Sequence, residues 1–175
     1  MYTPFNQLPA SARIWIYQAS RPLTVTEQAS IEPLLQRFAE EWTSHGRTLA
    51  ASAAVLHQQF LVIGLDEAVA DASGCSIDAS VRFVHSLEEQ LGVELLEKSR
   101  LAFLLGEEVR LLDRRQLREA VATGLIGPET PYFDNTISQH GQLQTVWPAP
   151  AGRTWLARYF QPTGTPVPHL ASEPG

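Results

Sequence analysis

Residues 60–91 constrain this chain more than any other stretch. They open with Phe60-Leu61-Val62-Ile63-Gly64-Leu65, an apolar run of strand length suited to burial. Asp66 and Glu67 end the run, and a loop of small residues follows. Ser73-Gly74-Cys75-Ser76 then offers N-cap oxygens. Ile77, Val81, Val84 and Leu91 recur at helical spacing after it, with Gly92 as the stop. The pattern predicts a strand, a loop and a helix whose N-terminus lies at Ser73 or Ser76.

The only cysteine of the chain, Cys75, falls at that junction. Unpaired N–H groups and the positive end of a helix dipole favour an anion there, a thiolate in the first turn included. Two functional expectations follow. In the first, the 66–78 loop and the start of the helix hold a small anionic ligand or a partner segment. Asp66, Glu67, Ser73, Gly74, Ser76 and Asp78 are then the binding residues, with His45 as a further candidate. In the second, Cys75 is the nucleophile of a cysteine-dependent enzyme, a histidine serves as base and Asp66 or Asp78 orients it. Against both stands a plain alternative: Ser76 caps the helix and Cys75 is a small buried apolar residue.

Upstream, Arg13-Ile14-Trp15-Ile16-Tyr17-Gln18 is rich in β formers and predicts a first strand, broken by Pro22. Thr24 to Glu27 forms a capping box. Ile31, Leu34, Leu35, Phe38 and Trp42 then mark a helix ending at His45-Gly46, with His45 at its C-terminus. Pro33 predicts either a kink or a later start capped by Ser30. Residues 48–57 and 59–65 read as a hairpin, and 101–105 with 108–112 as two further strands around Gly106-Glu107. The order βαββαβ over residues 1–112 predicts an α+β, ferredoxin-like sandwich with both helices on one face of an antiparallel sheet. A single core would join Ile14, Ile16, Leu34, Phe38, Val62, Val81, Val84 and Leu91.

Residues 113–160 read as an appended αββ segment of the same domain. Asp113 to Gln116 is a second capping box, Gly124 closes a short helix, and a hairpin is expected between 132–138 and 142–147 around His140-Gly141. From 161 on, Pro162, Pro166, Pro168 and Pro174 among Gly, Thr and Ser have the composition of a disordered tail.

Composition and missing motifs narrow the function. At 175 residues the chain can bury a full core as one domain. A net charge of −6 argues against a nucleic-acid partner. No apolar run reaches membrane-spanning length and no h-region follows the N-terminus, so a soluble cytoplasmic protein is expected. The single lysine, Lys98, follows Glu97, so there is no Walker A loop, and no Cys/His cluster has zinc spacing. Neither metal nor cofactor is expected. Asp78, Arg82, His85 and Glu89 read as a solvated, paired helix face.

Pro4-Phe5, residues 13–18, residues 42–46, Asp66-Glu67, residues 72–78, Ser80-Val81 and Phe133-Asp134-Asn135 together resemble a family of small bacterial proteins that often carries the label ABC transporter ATPase. The likeness spans about residues 1–160, and Ser73-Gly74-Cys75-Ser76-Ile77-Asp78 is its most specific mark. The chain departs from what that label implies. It has no Walker A, and Ser73-Gly74-Cys75-Ser76 is not the Leu-Ser-Gly-Gly-Gln signature.

Overall fold

In the computed structural model, which describes residues 1–162, β5 (Phe60–Leu65) is the middle strand of a three-stranded sheet and is buried along its whole length. β1 (Arg13–Gln18) pairs antiparallel on one side, with Ile16 opposite Val62. β4 (Ala51–Leu56) pairs antiparallel on the other, with Ala54 opposite Val62. Side chains alternate across a strand, so Leu61, Ile63 and Leu65 serve one face and Phe60 and Val62 the other. Both faces are covered, which is why the run is continuously apolar rather than alternating.

Two helices cover the first face. α1 (Val25–Glu41) contributes Ile31, Leu35 and Ala39, and α2 (Gly74–Leu91) contributes Val84, Leu87 and Leu91. The Thr24 hydroxyl accepts the Glu27 N–H at 3.1 Å and the Glu27 carboxylate accepts the Thr24 N–H at 2.9 Å, which starts α1 where the capping box predicts. Ser30 is therefore no cap, and Pro33 lies inside the helix. The helix ends at Glu41 with Trp42 already extended, short of the expected His45-Gly46. Those two residues have φ of 51° and 76° and form the tight turn between β2 (Thr43–Ser44) and β3 (Arg47–Thr48). His45 is thus an exposed hairpin residue, not a helix terminus. Gly92, at φ 62°, closes α2 as expected.

The second face meets another sheet rather than solvent. β6 (Arg100–Leu105), β7 (Glu108–Asp113), β8 (Pro131–Tyr132) and β9 (Ala149–Pro150) lie in the order β7-β6-β8-β9. The protein is α+β, but its topology departs from the expected four-stranded sandwich. The first three strands take the order β1-β5-β4, and residues 101–105, the expected fourth strand, lie in the second sheet. The outer edge of β1 is taken by residues 138–140 instead. Ile14 N–H donates to Ser138 C=O at 2.9 Å and His140 N–H to Ala12 C=O at 2.8 Å. β6 has an apolar surface on each side, which a one-sided sheet would leave wet. Ala102 and Leu104 pack toward Ile14, Phe60 and Val62, while Leu101 and Phe103 pack toward α3 (Leu117–Ala122) and Leu156. The layers run helix, sheet, sheet, helix.

A single core is accordingly replaced by three clusters. Ile14, Ile16 and Val62 belong between the sheets, whereas Val84 and Leu91 belong under the helices. Val81 is exposed. Leu34 and Phe38 are half-buried, Phe38 stacking on Phe83 with ring centroids 4.3 Å apart. In the appended segment, Asp113 and Gln116 form the expected cap. The hairpin of 132–138 with 142–147 does not form. The Gln142 side-chain carbonyl accepts the N–H groups of Ser138 and Gln139 at 3.1 and 3.0 Å, which starts a short helix, α4 (Gln142–Thr145), and β8 pairs with β9. The tail expected from 161 lies, from residue 163 on, outside the described residues.

His140 makes part of this arrangement pH-sensitive. Its ring is buried edge-on to Phe5 at 5.1 Å, and burial lowers its pKa from the ordinary 6.5. A histidine so depressed binds fewer protons folded than unfolded. Its contribution is complete above the unfolded value and is lost as pH falls through the folded one. Melting temperature should therefore drop with acid below about pH 6.5, ahead of the carboxylates. His140→Gln should make that slope shallower; an unchanged slope would contradict the assignment.

Candidate functional site

The residues expected to bind at 66–78 are mostly engaged within the fold. Asp66 closes a turn, accepting the Ala68 N–H at 3.1 Å, and Glu67 pairs with Arg13 at 3.2 Å. Ser73 caps α2, its hydroxyl accepting the Ser76 N–H at 3.2 Å, while the Ser76 hydroxyl accepts the Ser73 N–H at 3.1 Å. Ser76 is buried, and its carbonyl accepts the Trp42 indole N–H at 2.8 Å, tying the helix start to the β2–β3 hairpin that carries His45. One N–H of the first turn is thus consumed by the chain's own serine, which reduces what the terminus offers an anion. Gly74 and Asp78 are exposed on that first turn. The expected pairing of Asp78 with Arg82 is not formed among the described residues. His85 Nδ1 lies 2.7 Å from Glu88 Oε1 instead.

Cys75 is exposed, which overturns the reading of it as a small buried residue. It occupies the second position of α2, within the first turn after the Ser73 cap. Iodoacetamide should therefore label it in the native protein, without denaturant. Labelling only after unfolding would contradict this placement. Among the described residues no group of three or more His, Cys, Asp or Glu side chains comes together as a metal site. No helix among them is long and apolar enough to cross a membrane.

A better-formed site lies on the other side of β1. A cavity of about 630 Å³ opens between the end of β1, residues 95–102, residues 132–136 after β8, and the turn of 3-10 helix at Trp155–Tyr159. That volume suits a small organic ligand. One wall is locked by a relay of side-chain amides. Gln18 Nε2 donates to the Arg100 carbonyl at 3.1 Å, Asn135 Nδ2 to Gln18 Oε1 at 2.9 Å, and Trp147 Nε1 to Asn135 Oδ1 at 3.1 Å. The relay joins both sheets, so the wall is as rigid as the packing behind it.

The charge of the cavity runs against that of the chain. In a protein of net charge −6, the lining brings Lys98, Arg100, Arg114 and Arg158 together against only Glu97 and Asp134. Arg100 is committed to Glu94 at 2.7 Å and Glu97 at 3.5 Å. Asp134 is turned onto the Thr136 N–H and hydroxyl at 3.0 and 2.6 Å. Lys98, Arg114 and Arg158 have no carboxylate partner among the described residues, and all three are exposed at the mouth. Arg114 and Arg158 each carry their guanidinium 5.3 Å from the centre of the Trp155 ring, and cation–π attraction holds both near the opening. Trp155 Nε1 in turn donates to the Tyr132 hydroxyl at 3.2 Å, leaving the phenol proton free to donate. Burial pushes the Tyr132 pKa up to about 12, so the group stays neutral and keeps that proton.

Sequence reasoning missed this site because its residues come from five separated stretches. Lys98 signalled only the lack of a P-loop, and Phe133-Asp134-Asn135 only a family likeness. The one available signal was three cations: Arg114 in a segment read as a helix cap, and Lys98 and Arg158 in stretches assigned to no element.

The comparisons with known proteins leave the geometry to stand alone. The chain matches no protein-family model, no curated protein and no solved structure.

Proposed function

We propose that the protein is a binding module for a small anionic ligand, held in the cavity between β1, β6 and Trp155. The role is the one expected for residues 66–78; the support for it comes from the cavity instead. The observation that carries it is the gathering of Lys98, Arg114 and Arg158 around a rigid, partly aromatic cavity in an acidic protein. Guanidinium groups present forked donors that match phosphate or carboxylate oxygens, and three cations gathered at one opening, none with a carboxylate partner among the described residues, favour an anion here. Tyr132 adds a neutral donor, and Ile16, Leu101 and Phe133 supply apolar surface for the body of the ligand. The likeness over about residues 1–160 to proteins labelled ABC transporter ATPase remains a separate proposal, and the missing Walker A predicts no P-loop hydrolysis of ATP.

Phenyl phosphate, an anion with a small apolar ring, is a suitable probe, with phenol as the neutral control. Calorimetry should detect saturable binding of phenyl phosphate, weakened by added salt, and none of phenol. Arg114→Gln and Arg158→Gln should each weaken binding by about tenfold to a hundredfold, since each removes charge-assisted hydrogen bonds from an exposed side chain that the fold does not need. Equal affinity in the double variant would refute the site.

A further inference from the structure

Among the described residues, no named strand pairs with the outer edge of β4. Ala51 N–H donates to the Met1 carbonyl at 3.1 Å and Thr3 N–H to the Ala51 carbonyl at 2.9 Å, so residues 1–3 make a single parallel bridge to this edge. Pro4 then turns the chain away into the 3-10 turn Phe5–Gln7. In an antiparallel ladder consecutive residues bond alternately inward and outward. Because Ala51 bonds outward, Ala53 and Val55 present their N–H and C=O groups outward too, beyond the point where residues 1–3 leave. The strand reads Ala-Ser-Ala-Ala-Val-Leu and pairs with β5 in unbroken register, so it has no charge, proline or bulge to discourage pairing.

Beside this edge runs a groove of about 440 Å³ between β4 and α1, lined by Val25, Gln28, Glu32 and Gln36 on the helix side. Val25 is 77% exposed there. Glu32 is the charged residue of the groove, and α1 carries Glu27, Glu40 and Glu41 as well, against Arg37 alone. An open edge flanked by a helix is the geometry in which an extended peptide adds as a further strand, main-chain bonds giving affinity and the groove reading alternate side chains. We propose that β4 and α1 take an extended segment of a partner protein as an added strand, with a lysine or arginine of that segment facing Glu32. A second copy of this chain fits less well. Joining two β4 edges about a twofold axis sets one acidic α1 beside the other, and like charges oppose that pairing.

The test uses the full chain and the capped, fluorescein-labelled peptide Val-Lys-Val-Lys-Val-Thr, with Val-Glu-Val-Glu-Val-Thr as its charge-reversed counterpart. Fluorescence polarisation should give saturable binding of the lysine peptide and much weaker binding of the glutamate peptide. The lysine peptide N-methylated on the amides that face β4 should bind at least about tenfold more weakly, with the protein itself unaltered. Glu32→Lys, an exposed change, should reverse the preference between the two peptides. The Arg114→Gln, Arg158→Gln double variant should bind the lysine peptide as the parent does, which separates this site from the cavity. Absence of saturable binding of the lysine peptide, or equal affinity of its N-methylated form, would overturn the proposal. So would a dimer in sedimentation velocity that Val55→Pro abolishes while the peptide fails to bind.

Discussion

Phe60→Ala should destabilise the protein by about 3–5 kcal/mol, read as a shift in the urea midpoint at constant slope. Phe60 is fully buried where the two sheets meet, its ring centre 4.8 Å from both Phe133 and Trp147. Removing it opens a void that neither sheet can close, because β5 is held on both edges by β1 and β4. The size of the effect distinguishes the present layering from a sheet with one open face. On an open face Phe60 would be wet and its truncation nearly neutral, and a loss under about 1 kcal/mol would argue for that.

Phe103→Ala should cost a similar 3–5 kcal/mol, and the whole protein should still unfold in one transition. Phe103 is fully buried on the far side of the second sheet against Tyr132, with ring centres 5.3 Å apart, in the cluster that includes Leu117 and Leu156. Its neighbour Ala102 faces the first sheet, so β6 belongs to two clusters at once. Residues 113–160 are therefore no detachable appendage. Tryptophan fluorescence and far-ultraviolet circular dichroism should report the same lowered midpoint. Loss of the second sheet alone, with a parental transition remaining for the rest, would contradict the layering.

What could be read from the sequence was local. The Thr24–Glu27 and Asp113–Gln116 caps, the turn at Gly106 and the stop at Gly92 each depend on hydrogen bonds or backbone angles within a few residues. The β4–β5 hairpin likewise formed where the polar residues 57–59 placed it. The partner of an apolar strand is not local. Residues 101–105 suit any sheet edge, whereas the segment that bonds to β1, Ser138-Gln139-His140, reads as the end of a strand running into a turn. Its position is set by Gln142 and by the packing of Gly141 against Ala10. Exposure of Val81 has the same origin, since the apolar spacing of α2 admits more than one inward face and Phe83, Val84 and Leu87 took it.

The candidate site divides in the same way. The start of α2 was legible because its cap is written in four consecutive residues, Ser73 to Ser76. The cavity was not, because Gln18 and Asn135 are 117 residues apart and meet only once both sheets are stacked.

Amide hydrogen exchange with and without phenyl phosphate tests the central claim most directly, since it reports where an anion settles without altering a residue. If the ligand enters between the sheets, protection should rise in residues 95–102 and 132–136 and leave 73–78 unchanged. Protection confined to 73–78, at the start of α2, would contradict the account and return the site to the loop around Cys75.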